Sequence, residues 1–288
     1  MAQKKSPHYP VQRVMRVEPD NSQIGTTYEL NVERYLSKSN RRLYRQARTY
    51  SVKIDIDPDA SQVMYVYALA DTWTHARALK MAYASYLENG ASERRDIKEK
   101  NIARWEDFRV LSGLNSGHTI PRNFLTPGTV SPLIAGEFET SLVFDSAGNQ
   151  RTFDWTGSTT PGSYSILDEY DKAGNFQPSP TTTTGDMPYD DLMADDSAAM
   201  ANALQVRGNI PPYRAAGTQA PWVLVGVLQS EKSVASSGSR LSTGYFNAPC
   251  GIVAIVADTG AIVPEANRLS MTVKAGDYKG VHAPSMLE

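Results

Sequence analysis

The chain carries a single cysteine, Cys250, in 288 residues. One thiol can neither close an intramolecular disulfide nor build a thiolate zinc cage, so a reducing compartment is the expected setting. Long hydrophobic runs are missing too. No stretch of 18 apolar residues occurs, so neither a transmembrane helix nor a membrane partner is expected. The opening MAQKKSPHYPVQRVMRV has charge but no apolar core and does not read as a secretory signal. The four histidines, His8, His75, His118 and His282, are scattered, and none forms the i, i+4 pair of a helical zinc site. A lone surface or capping role is the default for each.

Motifs of catalysis are equally scarce. There is no G-x-S-x-G elbow, no phosphate loop and no G-x-G-x-x-G. Asp55, Asp57 and Asp59 imitate the start of a calcium loop, but Ala60 stands where glycine must turn the chain and Val66 where a bidentate glutamate belongs. Outward carboxylates on a strand and its turn are the plainer account. Asp168–Asp171 (DEYD) could hold an acid/base pair, although an acidic loop explains it more simply. Cys250, opening an apolar strand, reads as a small buried hydrophobe. The expectation is a binding or structural protein, not an enzyme, with no cofactor and no metal.

What the chain does have is a lopsided charge. The formal net charge is only −2, yet residues 1–54 hold eleven Lys/Arg against four acids, or +7, and residues 154–196 hold nine acids against one lysine, or −8. Such separation fits a basic region meeting a polyanion and an acidic surface facing elsewhere; mutual neutralisation is the bland alternative.

Residues 1–26, punctuated by Pro7, Pro10 and Pro19, read as a basic N-terminal arm, and 27–288 as one domain. TYELNV (27–32) alternates as a strand does. Tyr50, Val52, Ile54 and Ile56 share one face of the next strand, and VMYVYALA (63–70) follows as a strand apolar enough for burial on both faces. These two read as a hairpin. Helical spacing predicts helices over 72–88 and 93–109, with Asn89–Gly90 as the stop and Ser92 as a new cap. Trp73, Tyr83, Tyr86, Trp105 and Phe108 are expected to pack this insertion, 72–109, onto a sheet or a neighbour. GEFETSLVFD and QRTFDW flank the turn SAGN; 156–190 reads as a long surface loop and 189–209 as a helix. Four further strands follow, in PWVLVGVLQS, RLSTGYFNA, GIVAIVAD and RLSMTVKAG. There is no βαβ rhythm. The predicted fold is mainly β with inserted helices, a jelly-roll sandwich of two antiparallel sheets.

The densest basic stretch, RRLYRQARTY (41–50), sits at the threshold of a strand. Arg41, Arg42, Arg45 and Arg48 offer bidentate phosphate contacts, and Tyr44 and Tyr50 offer faces for base stacking. As a helix, 41, 45 and 48 would share a face; extended, the charge would spread over about 25 Å. A solvated charged segment is the alternative.

In order of features the sequence resembles the capsid proteins of small circular single-stranded DNA viruses that encode a replication initiator. The resemblance runs through RRLYRQARTY, VYALADTW and KNIARWEDFRV, then YDDLMAD, RGNIPPY, APWVLVGVL and SRLSTGYFNAPCGIV, together about half the chain. It implies a jelly-roll subunit, a homo-oligomeric icosahedral shell assembled inside the host cell, a virion location, and single-stranded DNA as partner. It also implies that the genome is met by Lys4, Lys5, Arg13, Arg16, Arg41, Arg42, Arg45 and Arg48. One departure is plain: such proteins often begin with a long run of arginines and lysines, and here they are scattered. A carbohydrate-binding or carbohydrate-acting sandwich and a phage tube or ring component are the rival readings.

Overall fold

The computed structural model describes residues 10–18, 27–56, 63–100, 105–113, 122–123, 137–155, 162–174, 221–229, 240–257 and 269–288. In chain order these form β1 (Val14–Glu18), β2 (Thr27–Asn31), α1 (Val32–Asn40), β3 (Thr49–Ile56) and β4 (Met64–Leu69), then α2 (Trp73–Asn89) and α3 (Ala91–Lys100). Next come β5 (Arg122–Asn123), β6 (Val143–Phe144), β7 (Gln150–Asp154), β8 (Ser163–Ser165) and α4 (Ile166–Gly174). β9 (Trp222–Leu228), β10 (Ser242–Pro249), β11 (Ile252–Ala257) and β12 (Leu269–Val273) complete the series.

The architecture is mainly β: two antiparallel sheets packed together as a sandwich, with a small third sheet and few helices. The first sheet runs β10-β3-β12-β1-β5, the second β2-β11-β4-β9, and the third β6-β7-β8. Alternation explains the sandwich. Tyr50, Val52, Ile54 and Ile56 of β3 all point inward, and Met15, Leu269 and Met271 join them from the same sheet. Leu30, Met64, Val66, Leu228, Val253 and Ile255 meet them from the other. Each such side chain contributes roughly 1.5–3 kcal/mol of burial.

Several expectations change. The hairpin of β3 with β4 does not form, because β3 pairs with β12 and β10 while β4 pairs with β11 and β9. Each strand has one strongly apolar face, and setting those faces against each other across the core buries both; hairpin pairing would lay them side by side. Accordingly β4 is buried on one face, with Tyr65 and Tyr67 half-covered on the other. The stretch read as an arm contains β1, which pairs with β12 and carries the fully buried Met15. The long loop, where described, holds β8 and α4, whose Ile166 and Leu167 are buried. The remainder of 156–190 and the expected helix over 189–209 lie outside the described residues.

β4 and β9 are neighbours in one sheet, and the Ala70 N–H reaches the Pro221 carbonyl at 2.9 Å. Both predicted insertions therefore belong to one connection, held against the sandwich by a second core. Leu79, Phe108, Phe153 and Trp155 supply its insertion side, and Cys250, Ile252 and Met286 its sandwich side. Cys250 is fully buried 3.8 Å from the Met286 sulfur, as a small hydrophobe should be, and burial pushes its thiol pKa up.

α2 begins at Thr72, whose hydroxyl accepts from the His75 N–H at 3.4 Å and sits 2.6 Å from His75 Nδ1; the ring stacks on Trp155. The helix stops at Gly90, as expected. α3 is shorter than predicted and starts at Ala91, ahead of Ser92. Residues 105–110 leave helical geometry because Phe108 and Val110 turn into the core and Gln46 binds both backbone groups of Val110. Tyr83 and Tyr86 pack on Phe108 at 5.3 and 5.2 Å between ring centres. Trp73 and Trp105 are 60% and 68% exposed and so do not pack on the sheet, which leaves a neighbour as the expected partner. The SAGN turn is present, joining β6 and β7, with Gly148 at φ 80°.

Candidate nucleic-acid interface

The basic segment 41–48 is neither helix nor extended strand. α1 ends at Asn40, and Arg41 turns the chain in the left-handed region (φ 50°, ψ 44°), its N–H capping the Ser37 carbonyl. A glycine is at ease there and an arginine is not. Arg41→Gly is expected to raise stability by up to about 1 kcal/mol, readable as a later urea midpoint with an unchanged slope.

Beyond that turn the sequence sorts itself by chemistry. Tyr44, Gln46 and Ala47 go inward and are buried, whereas Arg41, Arg42 and Arg45 stay exposed. The inward residues are anchored. The Tyr44 N–H donates to Ser37 Oγ at 2.9 Å and the Gln46 N–H to Asp107 Oδ2 at 3.0 Å. The Tyr50 hydroxyl donates to the Arg45 carbonyl at 2.6 Å. These anchors correct one expectation: Tyr44 and Tyr50 are both fully buried and offer no face for stacking bases.

The C-terminal segment returns along this stretch. The Lys274 N–H donates to the Ser51 carbonyl, the Ser51 N–H to the His282 carbonyl, and the Thr49 N–H to the Pro284 carbonyl, at 2.9, 3.2 and 3.0 Å. Between these rungs, 277–281 form a tight turn in which Tyr278 and Val281 exchange backbone bonds at 3.0 Å. The turn is stitched to the arginines. Tyr44 Oη donates to the Lys279 carbonyl at 2.9 Å, the Arg45 N–H to Tyr278 Oη at 3.1 Å, and Lys279 Nζ to the Leu43 carbonyl. The Arg48 guanidinium lies 3.6 Å from the Tyr278 ring centre and donates to the Ala283 carbonyl at 2.7 Å. A partly desolvated cation on an aromatic face is worth about 0.5–2 kcal/mol.

The N-terminal strand reaches the same end of the sandwich. Asn40, next to Arg41, binds both the Gln12 N–H and the Gln12 carbonyl through its side chain, at 2.8 and 3.1 Å. Arg13 follows, its carbonyl accepting from the Val273 N–H. Of the expected residues, Arg41, Arg42, Arg45 and Arg48 are thus gathered at one end with Arg13 close by. Arg16 stands apart, exposed on β1 at the register of Ser270. Lys4 and Lys5 lie outside the described residues.

Sequence reasoning missed Tyr278, Lys279 and Asp107. DYKG signals a turn, but nothing in it announces docking on a segment more than 200 residues earlier. Lys279 is crowded: burial, then repulsion from Arg45, Arg42 and Arg48, holds its pKa below the usual lysine range. The acid beside it, Asp107, is buried and shared, 3.9 Å from Arg45 and 3.6 Å from Arg109. Desolvation raises the Asp107 pKa in spite of those partners.

Deeper in, Glu33 is fully buried at the start of α1, 3.6 Å from Arg34 Nε, and neither carboxylate oxygen has a hydrogen-bond partner. Desolvation lifts its pKa from 4.5 to about 8, against the opposing pull of Arg34. At neutral pH this carboxyl is mostly protonated.

The other acids read as architecture. Asp55 pairs with Lys53 at 2.9 Å on the strand face, and Asp57 and Asp59 lie outside the described residues. Asp168 and Glu169 occupy the first turn of α4, where the helix dipole favours them. Asp154, counted with the acidic stretch, is buried and accepts from the Ser163 hydroxyl. No protein-family model, no curated protein and no solved structure matches this chain. Among the described residues, no helix is long and apolar enough to cross a membrane.

Proposed function

We propose that this chain is a jelly-roll shell protein, many copies of which close into an icosahedral capsid around single-stranded nucleic acid, assembled inside a host cell. The observation that carries the reading is the strand pairing. β1 pairs with β12, β2 with β11, β3 with β10 and β4 with β9. That is one long antiparallel ribbon of four strand pairs, rolled so that successive strands alternate between the two sheets. Rolled ribbons of this kind recur in viral capsids, lectins and cupins.

Within that group the cationic end and the apolar surface favour a shell. Phosphate binding needs little beyond converging Arg and Lys, and the arginine segment with its neighbouring lysine supplies them. Trp73, Trp105, Val223 and Leu224 are between 47% and 68% exposed, and the last two lie on β9, the edge strand of the second sheet. Exposed tryptophans and an apolar sheet edge suit burial between copies. The cargo is single-stranded DNA by the sequence resemblance; phosphate contacts alone do not distinguish it from RNA.

The test is negative-stain microscopy of the purified chain together with its 260/280 nm absorbance ratio before and after nuclease. Uniform closed particles with protected nucleic acid are expected. In the same preparation, Arg41→Glu with Arg42→Glu and Arg45→Glu should lower the nucleic-acid content several-fold while the fold is kept. Arg48 is left intact because it holds the C-terminal turn. A nucleic-acid-free monomer would overturn the proposal and favour a sugar-binding sandwich.

A further inference from the structure

We infer that the turn at 277–281 forms the second wall of a phosphate site, in which Lys279 and the facing Arg42 and Arg45 grip the backbone of single-stranded nucleic acid. Arg48 is the residue that positions the turn. This deepens the nucleic-acid reading of the arginine segment and rests on it, but it does not require a closed shell.

Three observations converge. The first is the division of labour among the cations. Arg48 is committed, stacked at 3.6 Å on Tyr278 and bonded to the Ala283 carbonyl. Arg42 and Arg45 are exposed, and an ammonium has three donors, of which Lys279 gives one to the Leu43 carbonyl. Arg42, Arg45 and Lys279 therefore keep donors for an incoming anion. The second is the charge balance. Three arginines and a lysine are set against two acids, the exposed Asp277 of the turn itself and the buried Asp107, which Arg45 shares with Arg109. Such crowding disfavours the empty site and is relieved when a phosphate enters, so charge repulsion in the free protein becomes affinity. The third is placement. Lys279 sits in the left-handed region at φ 51°, next to Gly280 at φ 89°, and the turn is bonded to Tyr44, Arg45 and Leu43. The ammonium is consequently fixed 5.3 Å from the Tyr278 ring centre and 5.8 Å from that of Tyr44.

Glycine at position 279 removes the cation and suits the backbone, so the decisive variant should fold. The full-length chain, stripped by nuclease and a high-salt wash, is titrated into fluorescein-labelled oligo(dT) of about 15 nucleotides at several salt concentrations, with fluorescence anisotropy as the readout. Lys279→Gly is expected to weaken binding about tenfold and to flatten the log–log salt dependence by about 0.7, one single-strand phosphate contact. Its melting temperature should stay within a few degrees of the parent's. Lys279→Glu should weaken binding further, and Lys279→Arg should restore most of it. If Lys279→Gly and Lys279→Glu bind as the parent does while Arg42→Glu with Arg45→Glu loses binding, the turn is no part of the site and the arginine reading survives. If all of these variants bind as the parent does, both readings fail.

Discussion

Raising the pH from 4.5 to about 8 should lower the free energy of unfolding by several kcal/mol through Glu33 alone. The sign follows from proton counting. In the unfolded chain this carboxyl releases its proton near 4.5, whereas in the fold burial holds it until about 8. Between those values the folded state binds more protons than the unfolded state, so stability falls as pH rises, by up to about 1.4 kcal/mol per unit. Integrated over the whole window the effect approaches about 5 kcal/mol, and Asp107, also raised by burial, pushes the same way. The contribution is fully present below 4.5 and gone above about 8. Glu33→Gln keeps the shape without the ionisation. It should flatten the profile and leave the variant several kcal/mol more stable than the parent at pH 8. Urea unfolding of both proteins at four pH values across this window decides the matter; parallel profiles would sink the argument.

The second large effect is expected at Gly276. A β-carbon there would lie 2.6 Å from the His282 α-carbon and 2.7 Å from its backbone nitrogen. Backbone cannot swing aside as a side chain does, so Gly276→Ala must break the pairing of Lys274 with His282, and with it the rungs to Ser51 and Thr49. A destabilisation of about 3 kcal/mol is expected, a drop of roughly 6–12 °C in melting temperature for a chain of this size. Because the same rungs hold the turn that carries Lys279, oligonucleotide binding should fall along with stability. Gly226→Ala is the matched control: like Gly276 it lies outside the left-handed region, but a β-carbon there meets only side-chain atoms, the nearest on Thr243 at 3.4 Å. Equal losses at both positions would mean that replacing the glycine as such, and not the clash with His282, is what matters.

How far the sequence reaches is clear from these same elements. Period-two alternation located β3, β9, β10, β11 and β12, because a strand half in the core must alternate. It could not say which strands pair. β3 and β4 looked like a hairpin since seven residues separate them, and a connection that short can either turn back within a sheet or cross the ~10 Å between sheets. Pairing is decided by where each apolar face finds a partner, a property of the whole chain. The arginine cluster was legible as composition, yet its tyrosines were misjudged. A tyrosine beside arginines looks the same whether its ring faces a base or the core, and burial settled Tyr44 and Tyr50 as anchors. Lys279 was invisible for a related reason: a single lysine in a turn carries no signal until the fold sets it against residues 43–48. Trp73 and Trp105 do not reach the sheet; helical spacing marks a stripe without saying what covers it.

The position of β12 has a consequence in time. This strand, the last among the described residues, lies in the interior of the first sheet, hydrogen-bonded to β3 on one side and β1 on the other. A ribosome delivers it after both of them. Until then β1 and β3 have no partner between them, and the C-terminal turn that completes the cationic end does not yet exist. A nascent chain that stops short of β12 therefore cannot close the sandwich, and it lacks the turn whose Tyr278 meets Arg45 and Arg48. Closure of the first sheet and completion of the cationic end thus wait on the same stretch, residues 269–288.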